Sequence, residues 1–299
     1  MVEMRRSLIM LLLIAALAVY VAYLISHSEG VVIQQRGSDT LLIIAERWAY
    51  EYAKGRSGVE IVVGGGGSGT GIVALINGEV DIADASRKMK AEELQAAKKA
   101  GVKPVEWKVA IDGISIIVNR ENPIDVVTLD QLRGIYNGSI RRWSEIGGID
   151  APIVVYGRQS TSGTYQYFRE RVLRGGDYRR DMNQMAGNAD IVEAVIKDPY
   201  GIGYVGVAYA EERADEVKIL RVKAEKNLEA YPPTRENIAE GRYPLARYLY
   251  LYTDGIPTGA VADYLRFILS PEGQRIVEEA GYIPIPRELA EEQLSRLGG

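Results

Sequence analysis

Two loops in this sequence combine serine, glycine and threonine immediately before a predicted helix. The first spans residues 64–71 and the second spans residues 158–164. Glycine lets the backbone approach a ligand closely, while hydroxyl groups and the free N–H groups of a helix N-terminus donate hydrogen bonds. Because an anion is rich in acceptors for such donors, the residue types and their placement predict two anion-binding loops.

An arginine strengthens this interpretation for the second loop. Arg158 precedes Ser162 by four residues, and a guanidinium presents a fork of donors that suits a tetrahedral oxyanion. The candidate ligand-binding residues of the two loops are Ser68, Gly69 and Thr70 in the first, and Arg158, Ser162, Gly163 and Thr164 in the second. If each feature is considered alone, the first loop could be a glycine turn without a ligand, and Arg158 could be an ordinary surface arginine.

Two shorter turns add further candidates. Ser38, Asp39 and Thr40 follow one predicted strand, and Ser86 and Arg87 follow another. Open α/β sheets bind ligands at the carboxyl ends of their strands, so the turns and loops together could surround one anion. Helix capping is the alternative role for the first turn. For Arg87 the alternative is a solvated basic surface shared with neighbouring lysines.

A different class of protein matches part of the first loop. Gly64, Gly66 and Gly69 satisfy the G-x-G-x-x-G pattern of dinucleotide-binding folds, with Asp81 and Asp84 at about the expected spacing. A Rossmann-type dinucleotide-binding enzyme is therefore an alternative, although it leaves the second loop unexplained. The loop lacks the lysine of a nucleoside-triphosphate loop, which argues against that class of ligand.

Composition excludes several other kinds of site. The 299 residues include no cysteine, and His27 is the sole histidine, so disulfides, thiolate metal sites and Ser-His-Asp catalysis lose their defining residues. The net charge of −4 argues against a nucleic-acid partner. We therefore expect a binding protein without catalytic residues, metal or cofactor.

Strands and helices alternate along the chain, which predicts an α/β fold with a parallel sheet. The predicted strands span residues 31–37, 59–63, 80–83, 111–118, 153–155, 201–207 and 248–252. The predicted helices span residues 41–52, 72–77, 91–100, 129–136, 164–173 and 261–280. The last of these is broken at Ser270, which can cap the segment that follows it. Each candidate turn thus lies between a strand and a helix.

The N-terminal segment is strongly apolar. Residues 8–25 form an uncharged run of 18 residues, and Arg5 and Arg6 precede it. Such a run is about the minimum for a membrane-spanning helix, and the arginines favour a cytoplasmic N-terminus. We expect residues 1–30 to form an uncleaved single-pass anchor in the cell membrane, with a cleaved signal peptide as the alternative. The soluble body is then extracellular or periplasmic.

Several ordered motifs resemble the periplasmic phosphate-binding proteins of ABC importers. They are GSDTLLIIAERWA, GGGGSGTGIVALINGEVDIADASRKMK, SIIVNRENPIDVVTLDQLRGIYNGSIRRWSEIGG, RQSTSGTYQYF, GIGYVGVAYA and LRFILSPEGQRIVEEAGYIPIP. The resemblance covers roughly residues 33–286 and implies a type II periplasmic-binding-protein fold, in which two α/β lobes close on the ligand about a hinge. It implies lobe 1 at residues 31–110 and 253–299, and lobe 2 at residues 111–252.

The resemblance also implies a function and a set of binding residues. A member of this family captures inorganic phosphate and delivers it to the permease subunits of an ABC transporter, and we expect the chain to act as a monomer. The family's binding positions fall on Asp39 and Thr40, on Ser68 in the glycine loop, and on Arg158, Ser162, Gly163 and Thr164 in the last loop.

Two departures from the family pattern bear on selectivity. The best-known members have an aspartate where this chain has Arg87, and some have an aspartate at the position of Ser160. The first of these aspartates accepts the proton of hydrogenphosphate and so excludes sulfate, which has no proton to donate. We expect Asp39, with Asp84 as the alternative, to supply the missing acceptor. A receptor for molybdate, tungstate or sulfate is the alternative function.

Overall fold

The computed structural model describes residues 30–298, so the predicted anchor at residues 8–25 lies outside the described part of the chain. The strands within that part are β1 (Val31–Gly37), β2 (Val59–Gly64), β3 (Ile82–Ala85), β4 (Pro104–Asn119), β5 (Val126–Thr128), β6 (Val154–Arg158), β7 (Asn183–Met185), β8 (Gly201–Gly206), β9 (Val217–Ile219), β10 (Arg221–Lys223), β11 (Ala230–Tyr231) and β12 (Ala246–Asp254).

Helices connect most of these strands. They are α1 (Leu42–Ala53), α2 (Ser68–Ile76), α3 (Ala91–Ala100), α4 (Leu129–Asn137), α5 (Gly163–Arg171), α6 (Asn188–Lys197), α7 (Val207–Glu212), α8 (Arg235–Ala239), α9 (Gly259–Leu269), α10 (Pro271–Glu279) and α11 (Arg287–Arg296), with a 3₁₀ turn at Trp143–Ile146. None of these helices combines the length and the apolar character needed to cross a membrane.

The main sheet is mixed. Its strands lie in the order β2-β1-β3-β12-β4-β8-β6-β7, with β9 paired to the far end of β4, and a second sheet has the order β11-β10-β5. β1 is parallel to β2 and β3, and β6 is parallel to β7 and β8. β4 and β12 run antiparallel to their neighbours in this sheet. The predicted α/β class is confirmed, with two antiparallel strands inserted between the parallel groups.

One strand joins the two lobes. β4 pairs with β12 as far as Gly113, and its continuation from Ile114 to Val118 pairs with β8. β4 therefore changes its strand partner between Gly113 and Ile114. The predicted lobe boundary at residue 252 falls inside β12, whose partners are β3 and the first part of β4.

The candidate turns all follow parallel strands. β1 ends at Gly37, directly before the Ser38 turn, and β2 ends at Gly64, where the glycine loop begins. β3 ends at Ala85, before Ser86, and β6 ends at Arg158 itself. Because the carboxyl ends of neighbouring parallel strands meet at one edge of a sheet, this topology gathers the candidate residues of each lobe at the edge that faces the other lobe.

A buried tryptophan holds the first helix of lobe 1 in place. Trp48 on α1 is fully buried, and its Nε1 donates to Gly273 O at 2.8 Å. The bond ties α1 to the beginning of α10, and burial of the large apolar indole ring stabilises this packing. The turn that precedes α1 is thereby fixed relative to the rest of lobe 1.

An aromatic cluster plays the same role in lobe 2. Phe168 on α5 stacks on Tyr204 of β8 with ring centroids 4.3 Å apart, and Tyr136 meets Phe168 edge-on at 4.7 Å. Burial of a ring such as Phe168 contributes roughly 1.5–3 kcal/mol. Because Tyr204 Oη also accepts the Arg158 N–H at 3.1 Å, the cluster positions both α5 and Arg158.

Most predicted elements are confirmed with shifted ends. α2 begins at Ser68 rather than at residue 72, because Gly67, with a φ of 97°, turns the chain directly into the helix. β4 begins at Pro104 rather than at residue 111, because its first part is held by β12, a partner that the local pattern does not reveal. α11 follows the last predicted helix and was not predicted.

Two predicted helix caps have opposite outcomes. The capping role considered for residues 38–40 is wrong, since α1 is preceded by Leu41 and no side chain caps it. The capping role of Ser270 is confirmed, because its Oγ accepts the Gly273 N–H at 3.2 Å. The hydroxyls and the carboxylate of residues 38–40 are therefore not consumed by the helix and can serve the cleft.

Candidate functional site

The two Ser-Gly-Thr loops lie face to face across the cleft between the lobes. Gly69 N–H donates to Thr161 O at 3.0 Å, which joins the loops directly. Gly163 packs so tightly against lobe 1 that a β-carbon on it would lie 2.5 Å from Ser86 Oγ. The structure is thus the closed arrangement, in which candidate residues of both lobes share one small volume.

The glycine loop places a buried hydroxyl on the wall of lobe 1. Gly66 and Gly67 have φ of 113° and 97°, values that favour glycine, and Gly67 N–H donates to Gly37 O at 2.8 Å. Ser68 is fully buried, and its Oγ accepts the Ser86 N–H at 3.0 Å. The Ser68 and Ser86 hydroxyls lie 3.3 Å apart, so one of their two hydrogens joins them and the other remains as a donor for a ligand.

The second loop presents a capped helix N-terminus from lobe 2. Ser162 Oγ accepts the N–H of Thr164 at 3.1 Å and of Tyr165 at 3.4 Å, so it caps α5. Ser162 and Thr164 are buried. The Ser162 hydroxyl hydrogen is left free by these bonds, and the positive end of the α5 dipole lies in the cleft beside it.

Arg158 is the most completely buried cation of the cleft. It is 1% exposed, its N–H is held by Tyr204, and its Nη2 donates to Ala186 O at 2.7 Å and to the carboxylate of Asp39. Its Nε is buried and has no partner among the described residues. A buried N–H without an acceptor is costly, so this atom calls for an acceptor from a ligand.

Asp39 reaches across the cleft from lobe 1. Its Oδ2 pairs with Arg158, while its Oδ1 accepts the Gly66 N–H at 3.1 Å. Tyr209 Oη of α7 donates to the Asp39 carbonyl at 2.7 Å. The carboxylate therefore neutralises Arg158 and joins the lobes.

A second arginine, Arg247, lies at the base of the cleft. Its Nη2 donates to Thr164 Oγ1 at 2.9 Å and to Thr40 Oγ1 at 3.4 Å, and its Nη1 donates to Ser86 O at 2.9 Å. The two threonine hydroxyls lie 3.0 Å apart. One guanidinium on β12 thus contacts candidate residues of both lobes.

Asp112 holds Arg247 from the neighbouring strand. Asp112 Oδ2 accepts from Arg247 Nε at 3.1 Å and from Nη2 at 2.9 Å, and both side chains are nearly inaccessible. Burial raises the pKa of Asp112, and the charge of Arg247 opposes that rise. Sequence reasoning missed this pair, although a charge inside each of two apolar strands, residues 109–118 and 246–252, was a visible signal.

Arg87 differs from the expectation that it faces the ligand. Its Nη1 and Nη2 donate to the two oxygens of Glu93 at 2.7 and 2.6 Å, and Nη1 also donates to Lys88 O at 2.9 Å. Glu93 is the carboxylate that also accepts the Lys90 N–H at the start of α3. Of the three nitrogens of this guanidinium, the buried Nε is the one that has no partner among the described residues. The guanidinium is therefore mainly engaged in bracing the loop onto α3.

Thr70 also has its hydroxyl engaged outside the centre of the cleft. Thr70 Oγ1 donates to Gly66 O at 2.8 Å. Thr70, Arg87 and Thr161 line a cavity of about 480 Å³ at the rim, where the lobes meet. The residues that the structure does gather in the cleft are Asp39, Thr40, Ser68, Gly69, Ser86, Arg158, Ser162, Gly163 and Thr164, together with Arg247. Ser38 is buried, and its contacts among the described residues are backbone hydrogen bonds.

Asp84 is directed into the core of lobe 1. Its Oδ1 accepts from Gln35 Nε2 at 2.8 Å, and Gln35 in turn accepts from Tyr264 Oη at 3.1 Å. Burial raises the pKa of Asp84 to about 7, and the Gln35 hydrogen bond opposes that rise. Asp84 Oδ2 has no partner among residues 30–298. These contacts favour Asp39 over Asp84 as the carboxylate that meets a ligand.

No metal centre accompanies the cleft. Across residues 30–298, no three or more aspartate, glutamate or histidine side chains are grouped so that they could hold a metal ion. The described residues that line the cleft offer hydroxyl, amide and guanidinium donors. Asp39 is the partly exposed carboxylate among them.

Comparison with known proteins gives consistent results. Residues 25–272 match the family model described as a PBP superfamily domain. The chain is 35% identical over 279 residues to the phosphate-binding protein PstS of Pseudomonas aeruginosa, covering 88% of this chain and 85% of that protein. It is 33% identical over 267 residues to PstS of Staphylococcus saprophyticus, covering 87% of this chain and 82% of that protein.

A solved structure shares the fold over almost the same extent. It is a protein from Clostridium perfringens described as a phosphate ABC transporter substrate-binding protein, with bound phosphate. The TM-score is 0.76 at 31% sequence identity, and the alignment covers 86% of this chain and 100% of that chain. The two-lobed α/β architecture is therefore common to this chain and that protein.

Proposed function

Because this chain belongs to the PBP superfamily and to the family of the PstS phosphate-binding proteins, we propose that it captures inorganic phosphate between its two lobes. The captured ion is passed to the permease subunits of an ABC transporter. Capture is saturable binding without catalysis, metal or cofactor, and the ligand selects the closed state because only that state surrounds it with donors.

The observation that carries this proposal is the buried, unpartnered Nε of Arg158. It belongs to a side chain that is 1% exposed, and it lies between loops from opposite lobes that each begin a helix. A donor buried in this way is unfavourable unless an acceptor completes it. A tetrahedral oxyanion in the cleft supplies that acceptor and also receives the Ser162 hydroxyl hydrogen and the free hydrogen of the Ser68–Ser86 pair.

Asp39 is our candidate for the group that distinguishes phosphate from sulfate. Each carboxylate oxygen can accept more than one hydrogen bond, so Asp39 can accept the proton of hydrogenphosphate while it remains paired with Arg158. Sulfate brings no proton to that oxygen and meets only its negative charge. The chain thereby excludes sulfate without the aspartate that better-known members carry where this chain has Arg87.

Calorimetric titration of residues 30–299, stripped of bound ligand, tests the proposal directly. Phosphate, sulfate, molybdate and tungstate are titrated separately at one pH and one salt concentration. We expect stoichiometric binding of phosphate and at least a hundredfold weaker binding of sulfate. The matched variant Arg158→Met should lose phosphate binding, because its side chain has a similar length and no donors. Tight tungstate binding with no response to phosphate would overturn the proposal.

One observation favours a second candidate, a receptor for molybdate, tungstate or sulfate. Arg87 follows Ser86 where a proton acceptor is expected for phosphate, and its charge is directed to Glu93. If Asp39 did not accept the ligand's proton, the cleft would hold donors only and would favour a fully ionised oxyanion. The same titration separates the two candidates. A dinucleotide-binding enzyme is less well supported, because the loop at Gly64 faces Thr161 of the opposite lobe.

The position of the chain in the cell and its lobe boundaries are also proposals. The apolar run at residues 8–25 supports an extracytoplasmic body held at the cell membrane, where a tether raises the receptor's effective concentration near its permease. We propose that it acts as a monomer. Strand pairing supports a second lobe boundary at about residue 245 rather than 252, since β12 begins at Ala246.

A further inference from the structure

Arg247 contacts both lobes from the strand that runs beside their junction. Its Cα partner on β4 is Asp112, one residue before the point at which β4 changes partner. From there its guanidinium reaches Thr40 and Ser86 in lobe 1 and Thr164 in lobe 2. The ring of Tyr167, from lobe 2, lies 5.4 Å from the guanidinium carbon. The proposed capture of phosphate by Arg158, Ser68, Ser162 and Asp39 does not involve this side chain.

The chemistry of the guanidinium constrains the two threonine hydroxyls. A guanidinium has donors only, so Arg247 can fill lone pairs on Thr40 Oγ1 and Thr164 Oγ1 but cannot accept either hydroxyl hydrogen. The hydroxyls lie 3.0 Å apart, so one of the two hydrogens joins them. The other hydrogen must then point away from both Arg247 and the partner hydroxyl. The remaining direction is toward the interior of the cleft.

Asp112 fixes the direction of these donors. It accepts two bonds from Arg247 through Oδ2, and its Oδ1 accepts the Val207 N–H at the start of α7, at 3.1 Å. The carboxylate is therefore anchored on a lobe 2 helix as well as on β4. With its Nε and one Nη held in this way, Arg247 has little freedom to turn away from Thr164.

We infer that Arg247 is a positioning residue that orients the Thr40 and Thr164 hydroxyls, so that one of their hydrogens is donated to a ligand oxygen. The inference rests on the proposed capture of an oxyanion and adds a division of labour to it. In the proposed capture, the proton of hydrogenphosphate goes to Asp39. Arg247 itself acts through Thr40 and Thr164 rather than by touching the ligand.

A double-mutant cycle between residues 247 and 164 distinguishes this role from simple packing. Removal of Arg247 alone would strand the buried Asp112 carboxylate, so the arginine is removed as the neutral pair Asp112→Asn with Arg247→Met. This pair change is combined with Thr164→Val, and phosphate affinity is measured calorimetrically for the four proteins. We expect each single step to weaken binding by at least tenfold. We expect the combination to be no more than about threefold weaker than Thr164→Val alone, because the arginine has then lost the nearer hydroxyl, at 2.9 Å, and keeps only Thr40, at 3.4 Å.

Two further variants guard against a purely structural effect. Arg247→Lys keeps a cationic donor without an acceptor and should retain phosphate affinity within about fivefold, whereas a side chain that only fills space would behave alike as Lys and as Met. Arg179→Met removes another well-buried arginine side chain that pairs with Asp181 in lobe 2, and it should leave affinity unchanged. Thermal unfolding without ligand verifies that each variant is folded.

The outcomes separate this inference from the proposed function. If the wild-type chain binds phosphate and the two steps multiply with less than twofold coupling, Arg247 does not orient Thr164 and the inference alone is overturned. If the wild type binds another of the four oxyanions instead of phosphate, the cycle is run with that ion and decides the inference in the same way. If none of them binds, the proposed function and the inference fall together.

Discussion

Asp39 and Arg158 form an ion pair across the closed cleft, although they belong to opposite lobes and lie 119 residues apart in sequence. The carboxylate follows β1 and the guanidinium ends β6. Both side chains are largely withdrawn from water, so the pair is screened far less than a surface salt bridge. It can exist only when the lobes are together, so closure and neutralisation of Arg158 are one event.

The first prediction concerns the selectivity of the site. In Asp39→Asn, the carboxylate that repels a fully ionised oxyanion is replaced by an amide, and Arg158 loses its counter-charge. We expect the ratio of phosphate to sulfate affinity to fall at least tenfold, measured by calorimetry at constant pH and salt. Asp177→Asn is the control, because that carboxylate is 94% exposed and pairs with Arg169 away from the cleft. An unchanged ratio in Asp39→Asn would rule out Asp39 as the selective acceptor.

The second prediction concerns the fit of the two lobes. A methyl group in Gly163→Ala would meet the Ser68 and Ser86 hydroxyls, so the closed state should be disfavoured by about 1–3 kcal/mol, typical of overpacking. We expect phosphate affinity to fall by roughly tenfold to a hundredfold and the ligand-induced contraction in small-angle X-ray scattering to shrink. Gly64→Ala is the matched control, since its β-carbon would meet only the Arg36 side chain at an ordinary 3.5 Å. Equal affinities in the two variants would contradict a steric role for Gly163.

The third prediction separates the two arginines named as ligand-binding candidates from sequence. Both arginines have a buried Nε without a partner among the described residues, but Arg87 directs its two terminal nitrogens to Glu93 in its own lobe, whereas Arg158 pairs with Asp39 across the cleft. We therefore expect Arg87→Met to weaken phosphate binding less than about fivefold and to lower the free energy of unfolding by about 1–3 kcal/mol, because Glu93 loses its partner. Arg158→Met should weaken binding more than a hundredfold. If Arg87→Met is as damaging to binding as Arg158→Met, Arg87 contacts the ligand as the sequence first suggested.

The fourth prediction follows from the buried Asp84. Burial raises its pKa from 3.8 to about 7 in the folded protein, so between these values the folded state holds a proton that the unfolded state has released. The stability of the wild type should therefore decline as pH rises through this window and then level off. Asp84→Asn has no such proton. Between pH 3.5 and pH 8, the free energy of unfolding of this variant should rise relative to that of the wild type by up to about 4 kcal/mol.

Chemical unfolding of both proteins across this pH range measures the difference, and the common contributions of all other groups cancel. The values at pH 3.5 serve as the internal reference, since Asp84 is then protonated in the folded state and mainly protonated in the unfolded state. A constant difference between the two proteins at every pH would show that Asp84 does not titrate in this window.

The sequence was sufficient for the parts of the site that depend on local patterns. The loops before α2 and α5 combine strand, glycine or serine, and helix within a few residues, and the structure gathers Ser68, Ser162 and Thr164 in one cleft. The capping role of Ser162 depends only on its own next three residues. Such short-range features are set by backbone conformation and hydrogen bonding within one turn.

The remaining contacts could not be predicted because each joins distant segments. Arg247 and Asp112 are 135 residues apart, and the sequence around either residue does not indicate that the other is its partner. Arg87 was placed at the ligand because it follows Ser86, but Glu93, one turn into α3, takes both of its terminal nitrogens. The partner of a long charged side chain depends on which groups the fold brings within reach, and a spacing rule does not contain that information.

Each deeply buried arginine of the cleft has its own carboxylate, Arg158 with Asp39 and Arg247 with Asp112, and this affects how a ligand arrives rather than how it is held. At long range the charges of each arginine and its carboxylate cancel whether the lobes are open or closed, and the chain as a whole carries −4. An approaching anion therefore meets a weak net repulsion instead of an attractive field, and dissolved salt screens that repulsion beyond about 10 Å at 0.1 M. The rate of encounter should rise gently as ionic strength increases, opposite to the behaviour of receptors that collect their ligands by charge.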